Sequence, residues 1–242
     1  MINVIDTETT GFEGSIVEVA VVKWPRPDAG FKYGARLVKP TCPIEYQAMA
    51  AHHLTEEMVA NEPDLEYVLN DLYLNEPTDI FAAHNAEFDR KFFPVQIQER
   101  KWICTWRCAL HLWPDAPSHS NQVLRYYLKL DVSDMPAEAG GNAHRALYDA
   151  WVTAKILERQ INEIQHTIMS HDGPQCSTEQ AIEHLIRMST EPVLLRKCRF
   201  GKHRDELWKD IAAKDPGYLK WVLRQDDFDK DTMHTARHYL NA

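Results

Sequence analysis

Residues 2–8 read Ile-Asn-Val-Ile-Asp-Thr-Glu, a run rich in β-branched side chains that ends in two acids. Side chains alternate between the faces of a strand, so Ile2, Val4, Asp6 and Glu8 share one side. Two neighbouring carboxylates beside a buried apolar pair repel each other. A hard divalent cation between them would reverse that cost, because such ions prefer carboxylate oxygens. The spacing alone leaves two readings open, metal binding or the solubility of an edge strand. A second Asp-x-Glu, Asp64-Leu65-Glu66, falls within an amphipathic helix pattern and reads as solvated surface. Context separates the two, since Asp6-Thr7-Glu8-Thr9-Thr10-Gly11 runs into a glycine turn where backbone could approach a ligand.

The rest of the chain places this strand in an α/β protein. Ile16 to Trp24 and Tyr33 to Lys39 read as two further strands, closing an antiparallel three-strand meander. Thr55 is a candidate helix N-cap, and Pro63 begins a helix with Leu65, Val68, Leu69 and Leu72 at helical spacing. Helices then alternate with short strands at 79–83 and 102–105, and the longest helix is expected over 143–165. A meander followed by alternating helices and strands predicts a mixed sheet. Three units are expected: a domain over 1–168, a linker over 169–177 and a small helix-rich unit over 178–242.

Composition narrows the classes. No apolar run approaches the ~18 residues needed to span a bilayer, so no membrane partner is expected. The amino terminus lacks the basic n-region of a signal peptide. Five scattered cysteines, an odd number, do not suggest a disulfide framework and point to a reducing cytoplasm. The net charge of −9 argues against indiscriminate binding to polyanions. It is uneven, with 25 acidic against 15 basic residues over 1–174 and 11 against 12 over 175–242. A nucleic-acid partner stays possible if the acids gather round cations.

Two more segments carry acids in unusual places. In Ala82-Ala83-His84-Asn85-Ala86-Glu87-Phe88-Asp89, Asp89 lies one turn into a helix among phenylalanines. It could equally be a first-turn acid complementing the helix dipole. In His144-Arg145-Ala146-Leu147-Tyr148-Asp149, which follows a Gly-Gly loop, His144 sits at a helix mouth and Asp149 lies off the apolar stripe. A solvent-facing acid with an N-terminal histidine is the alternative there. Taken together, four carboxylates and a histidine at element ends could converge on one edge of a mixed sheet. Four acids holding two divalent ions ~3.5–4 Å apart make a phosphodiester hydrolysis site, with one ion activating water and the other stabilising the leaving oxygen. A histidine is suited to take the proton of that water.

The segments VIDTETTGF, AHNAEFD and HRALYD, in this order, resemble the three motifs of the DnaQ-like 3′→5′ exonucleases of the DEDDh type. The resemblance implies an RNase H-like fold, with Asp6, Glu8, Asp89 and Asp149 as metal-binding acids and His144 as general base. It implies two Mg²⁺ (or Mn²⁺) ions as cofactor. Gln47 and His52, in the stretch 47–55, fall where the family contacts the terminal nucleotide. Thr7, Thr9, His84 and Asn85 are the further substrate-binding candidates. The implied activity is a 3′→5′ exodeoxyribonuclease that releases 5′-mononucleotides, its partner a DNA with a free 3′ end. The DNA preference rests on carboxy-terminal segments, Phe200-Gly201-Lys202 and Asp215 to Trp221, that resemble a bacterial branch of the family. An RNA 3′-trimming enzyme and a non-catalytic nucleic-acid-binding module are the alternatives.

Three other groups complete the reading. Arg196, Lys197, Arg199, Lys202 and Arg204 put five cations within nine residues, a candidate hold on the DNA backbone or a solvated face. Asp205 stands where the resemblance leads one to expect glycine, and an acid there argues against a simple phosphate grip. Trp208, Tyr218 and Trp221 read as core of the small unit rather than as stacking platforms. Cys104, Cys108 and His111 share a helical face, which is weak support for zinc, since free cysteines are usually buried small hydrophobes.

Overall fold

The β-branched segments pair as their alternation demands. The computed structural model describes residues 1–30, 32–76, 80–140, 144–169 and 176–241. Strand β1 (Ile2–Thr9) lies at the centre of a five-stranded sheet of order β3-β2-β1-β4-β5. On one side it pairs antiparallel with β2 (Ile16–Trp24), which pairs antiparallel with β3 (Tyr33–Leu37). On the other side it pairs parallel with β4 (Ile80–Ala83), which pairs parallel with β5 (Lys101–Cys104). The register sets Ile2 against Trp24 and, near the far end, Glu8 against Glu18, before a shift at Thr9.

Between β3 and β4 come α1 (Tyr46–His52), α2 (Glu56–Val59) and α3 (Leu65–Asp71). The last starts two residues after Pro63, because the Asp64 side chain accepts from the Tyr67 amide at 2.9 Å and so caps the helix. Then follow α4 (Ala86–Arg90) and α5 (Val95–Gln98) before β5, and α6 (Thr105–Leu112), α7 (Asn121–Tyr127) and α8 (Ala146–Met169) after it. The carboxy-terminal part holds α9 (Thr178–Met188), α10 (Trp208–Lys214), α11 (Pro216–Val222) and α12 (Lys230–Asn241). Most of the expected linker lies outside the described residues.

Two apolar layers sandwich the sheet. Ile2, Val4, Ala20 and Val22 face the α8 stripe of Leu147, Ala150, Trp151, Ala154, Leu157 and Ile161. Ile5, Val19, Val21, Phe81 and Trp102 face the other way, against Val68, Leu69 and Leu72 of the α3 region and Ala86 of α4. Each fully buried side chain of this size contributes roughly 1.5–3 kcal/mol of transfer free energy. Helix α9 joins the first layer through Ala181, Leu185 and Met188, although its sequence falls in the stretch expected for the small unit. A third cluster, of Val193, Leu195, Trp208, Ile211, Tyr218, Leu219 and Val222, closes over Leu110 of α6. Trp208 is fully buried within it and Tyr218 nearly so, whereas Trp221 is 46% exposed.

A buried ion pair ties this cluster to the sheet domain. Arg107 of α6 donates twice to Asp231 of α12, at 2.9 Å each, and once to the Glu191 carbonyl at 2.6 Å. Asp231 also accepts from the Val193 amide at 2.9 Å. Among the described residues no helix is long and apolar enough to cross a membrane.

Candidate active site at the end of the sheet

The alternation of β1 decides where its acids go. Asp6 and Glu8 continue the face of Ile2 and Val4, toward α8, and Asp149 lies in the first turn of that helix. One carboxylate oxygen from each of Asp6, Glu8 and Asp149 falls within 4.8 Å of the other two. Thr7, between the two acids, turns to the opposite face. There its amide and hydroxyl donate to Asp89 Oδ1 of α4, at 3.1 and 2.8 Å. The fourth acid thus arrives from the other layer and is held at the rim by the residue between the first two.

Asp149 is held from two sides. Its Oδ2 accepts from the His144 amide at 2.7 Å, and its Oδ1 from Gln122 Nε2 at 3.0 Å. His144 adopts φ 65°, and its ring is exposed at the mouth of α8. Beside these acids stands a fifth that the motifs do not mark. Glu18 is 3% exposed and lies directly across from Glu8. Like charges so placed are destabilising. Arg145 offsets this by donating to both Glu18 oxygens, at 2.7 and 3.2 Å, and Glu18 Oε2 also accepts from the Ala146 amide at 3.0 Å. The available signal was a lone acid inside the otherwise apolar run Ile16-Val17-Glu18-Val19-Ala20. Gln122 carried no such signal, since it sits in an ordinary helix start.

Electrostatics single out the cluster. Burial, then the charges of Asp89, Asp149, Glu8 and Glu18, push the Asp6 carboxyl well above the usual carboxylate range. Burial and the Glu18 charge push Glu8 up to about 8. Burial raises Asp89 to about 7 against the opposing bonds from Thr7. It raises Asp149 too, against the His144 amide and Gln122. Among the described residues no lysine or arginine bonds to Asp6, Glu8, Asp89 or Asp149. A set of hard oxygen donors that repel each other and are bonded by no lysine or arginine fits divalent metal ions.

The remaining candidates divide by whether their polar atoms are already used. His52 is 2% exposed, its Nδ1 accepting from the Leu54 amide at 2.9 Å and its Nε2 facing the Thr9 carbonyl at 3.2 Å. Burial lowers its pKa. Thr9 Oγ1 donates to the Gly11 carbonyl at 2.8 Å. His84 Nδ1 meets Thr105 Oγ1 at 3.0 Å and Nε2 the His119 carbonyl at 2.8 Å, while burial lowers its pKa to about 4. Gln47 and Asn85 are exposed, Asn85 with φ 74° at the N-cap of α4. Arg196, Lys197, Arg199, Lys202 and Arg204 are all exposed in the carboxy-terminal part. Cys104, Cys108 and His111, which gave weak support for zinc, do not converge among the described residues. Cys108 instead bonds the Leu185 carbonyl at 3.4 Å, and burial pushes its thiol up to about 12.

Known proteins resemble this chain. A family model described as Exonuclease (RNase_T) matches residues 3–157. The chain therefore belongs to the exonuclease family, in its DEDDh-type, RNase H-like form, and is by class a 3′–5′ exonuclease, a hydrolase. It is 37% identical to exodeoxyribonuclease 10 of Escherichia coli (strain K12) over 99% of both chains, carboxy-terminal segments included. A solved structure of exonuclease X in complex with 5′-overhanging duplex DNA is 38% identical, with a TM-score of 0.58, and covers 76% of this chain and 99% of its own. The nuclease CRN-4, 13% identical with a TM-score of 0.51 over 98% of this chain, shares the fold.

Proposed function

We propose that the chain is a divalent-metal-dependent 3′→5′ exodeoxyribonuclease that releases 5′-mononucleotides from DNA with a free 3′ end. The observation that carries this reading is the convergence of Asp6, Glu8 and Asp149 oxygens within 4.8 Å, with no lysine or arginine among the described residues bonded to them. Asp6, Glu8, Asp89 and Asp149 would hold two ions, Mg²⁺ or Mn²⁺, which when bound neutralise the carboxylates and polarise the scissile phosphodiester. His144, exposed at the mouth, accepts the proton of the attacking water, while its own amide keeps Asp149 in place. Water adds to phosphorus, and the bond to the 3′ oxygen of the preceding nucleotide breaks. Thr7, Thr9, His52 and His84 act as positioning residues, because their side-chain polar atoms already have protein partners. Gln47 and Asn85 are left to meet the terminal nucleotide. Of the five basic residues of 196–204, those left without a protein partner would contact backbone phosphates.

DNA is favoured over RNA by the relatives of 37% and 38% identity, whose names specify exodeoxyribonuclease and a DNA complex. Five free cysteines suit a reducing compartment such as the cytoplasm. A timed digest of a 5′-labelled single-stranded DNA and the matched RNA, with Mg²⁺, with Mn²⁺ and with EDTA, tests the reading. A ladder shortened one nucleotide at a time, lost in EDTA and faster on DNA, is expected. Faster shortening of RNA would move the assignment to RNA trimming. Binding without any product would leave a non-catalytic module.

A further inference from the structure

A groove of about 590 Å³ lies between the turn 113–119 of the exonuclease domain and the segment 193–199 of the carboxy-terminal part. We infer that this groove carries the single strand 5′ of the nucleotide being removed, its phosphates running past Lys197 and Arg199. The inference rests on the exonuclease reading above and gives the carboxy-terminal part its task.

Continuity with the site is the first support. The wall formed by residues 113–119 is anchored at the acids, since His119 lends its carbonyl to His84 and, three residues on, Gln122 holds Asp149. A strand leaving the acid cluster along this turn would enter the groove. Charge is the second. Lys197 and Arg199 are exposed, line the groove and form no ion pair among the described residues. Lys202, by contrast, is bound to Asp215 at 2.7 Å, and Arg204 Nε is bound to the Arg199 carbonyl at 3.1 Å. The dense basic cluster thus resolves into two free cations on the groove and others turned to the protein. Arg196 pairs with Asp115 on the opposite wall, and a phosphate entering between them would take over as its partner. A volume of this size is ordinary for a binding cleft, and a cationic groove that tracks a backbone is how sequence-independent single-strand sites are built.

Asp205 works against this grip. It lines the groove with φ 69°, the left-handed conformation that favours glycine or asparagine, and its carboxylate faces the same space as the two cations. The groove is therefore a weakened version of what the fold could offer, and one substitution should strengthen it.

The test compares the parent, Lys197→Ala/Arg199→Ala and Asp205→Asn in two assays. The first is fluorescence anisotropy with a labelled 20-nucleotide single strand in EDTA, across salt concentrations. The second is kcat/KM with Mg²⁺ on that strand and on the p-nitrophenyl ester of thymidine 5′-phosphate, which has no upstream nucleotide. The double variant should bind about tenfold more weakly, with a log–log salt slope smaller by about 1.4 for two lost phosphate contacts. Its ratio of kcat/KM on the strand to that on the ester should fall by a similar factor. Asp205→Asn should tighten binding about twofold. An unchanged slope and ratio, or an equal loss on both substrates, would overturn the inference. A parent that binds with the expected slope but hydrolyses neither substrate would keep the groove and remove the exonuclease reading.

Discussion

The molecule buries carboxylates in two places and treats them in opposite ways. Asp231 in the carboxy-terminal part has a guanidinium across two hydrogen bonds and a backbone amide besides. Burial works against its charge, yet Arg107 and the Val193 amide hold its pKa below the usual value. At the sheet end, Asp6, Glu8, Asp89 and Asp149 crowd together and burial drives every one of them up. A folded chain supplies a partner where a charge is structural. Where it withholds one from four acids at once, the missing counter-charge comes from outside.

The strongest way to break this comparison is to remove an acid from each region. Asp6→Asn should lower kcat by about 10⁴-fold, roughly 5 kcal/mol of transition-state stabilisation, while metal-free Tm stays level or rises because a repulsion has gone. Single-turnover kinetics and calorimetry on one preparation would show it, and full activity of Asp6→Asn would break the site assignment. In the other region, Arg107→Ala strands Asp231 without its partner and should destabilise by about 3–5 kcal/mol. Urea unfolding followed by tryptophan fluorescence checks this, and a change below about 1 kcal/mol would mean that the pair is solvated in solution.

His144→Ala probes the acid cluster from its mouth. The expected loss is about 10²–10³-fold in kcat, roughly 3–4 kcal/mol, with metal affinity retained. A loss confined to KM would instead make His144 a substrate contact.

The smallest effect is the sharpest discriminator, because the two regions should answer pH with opposite signs. Raised carboxylate pKa values mean that the folded protein binds more protons than the unfolded chain between about pH 4 and pH 8, with Glu8 near 8 and Asp89 near 7. Stability of the metal-free protein should therefore fall as pH rises through that window. Mg²⁺ competes with those protons, so the Tm increment it causes should be larger at pH 8 than at pH 5.5. The Asp231 contribution runs the other way, present above the unfolded value near 4 and lost as pH falls below it. Thermal scans in EDTA and in Mg²⁺ from pH 3 to pH 9 would resolve both limbs.

Much of this was legible in the chain before any coordinates. The alternation of 2–8 put Asp6 and Glu8 on one face, and the long helix announced itself by its apolar stripe. What escaped depends on contacts between distant residues. Glu18 matters because the register of β2 sets it against Glu8 and because Arg145, 127 positions later, reaches back to it. The bond from Thr7 to Asp89 escaped because nothing local reveals that Asp89 comes from the opposite layer. Helix α9 lay beyond a break in pattern, yet its apolar face packs on α8, a partner no local period could name.

Three consecutive residues, Asp6, Thr7 and Glu8, work like a stitch drawn through cloth. The outer two face the helix on one side, beside Asp149, and the middle one is hydrogen-bonded to the helix on the other. Loosening either layer would pull the thread and scatter the acids that we propose as metal ligands. Cation affinity then becomes a gauge of whether both halves of the fabric are sewn shut, so a partly unravelled molecule would lose its nuclease activity before it lost its shape.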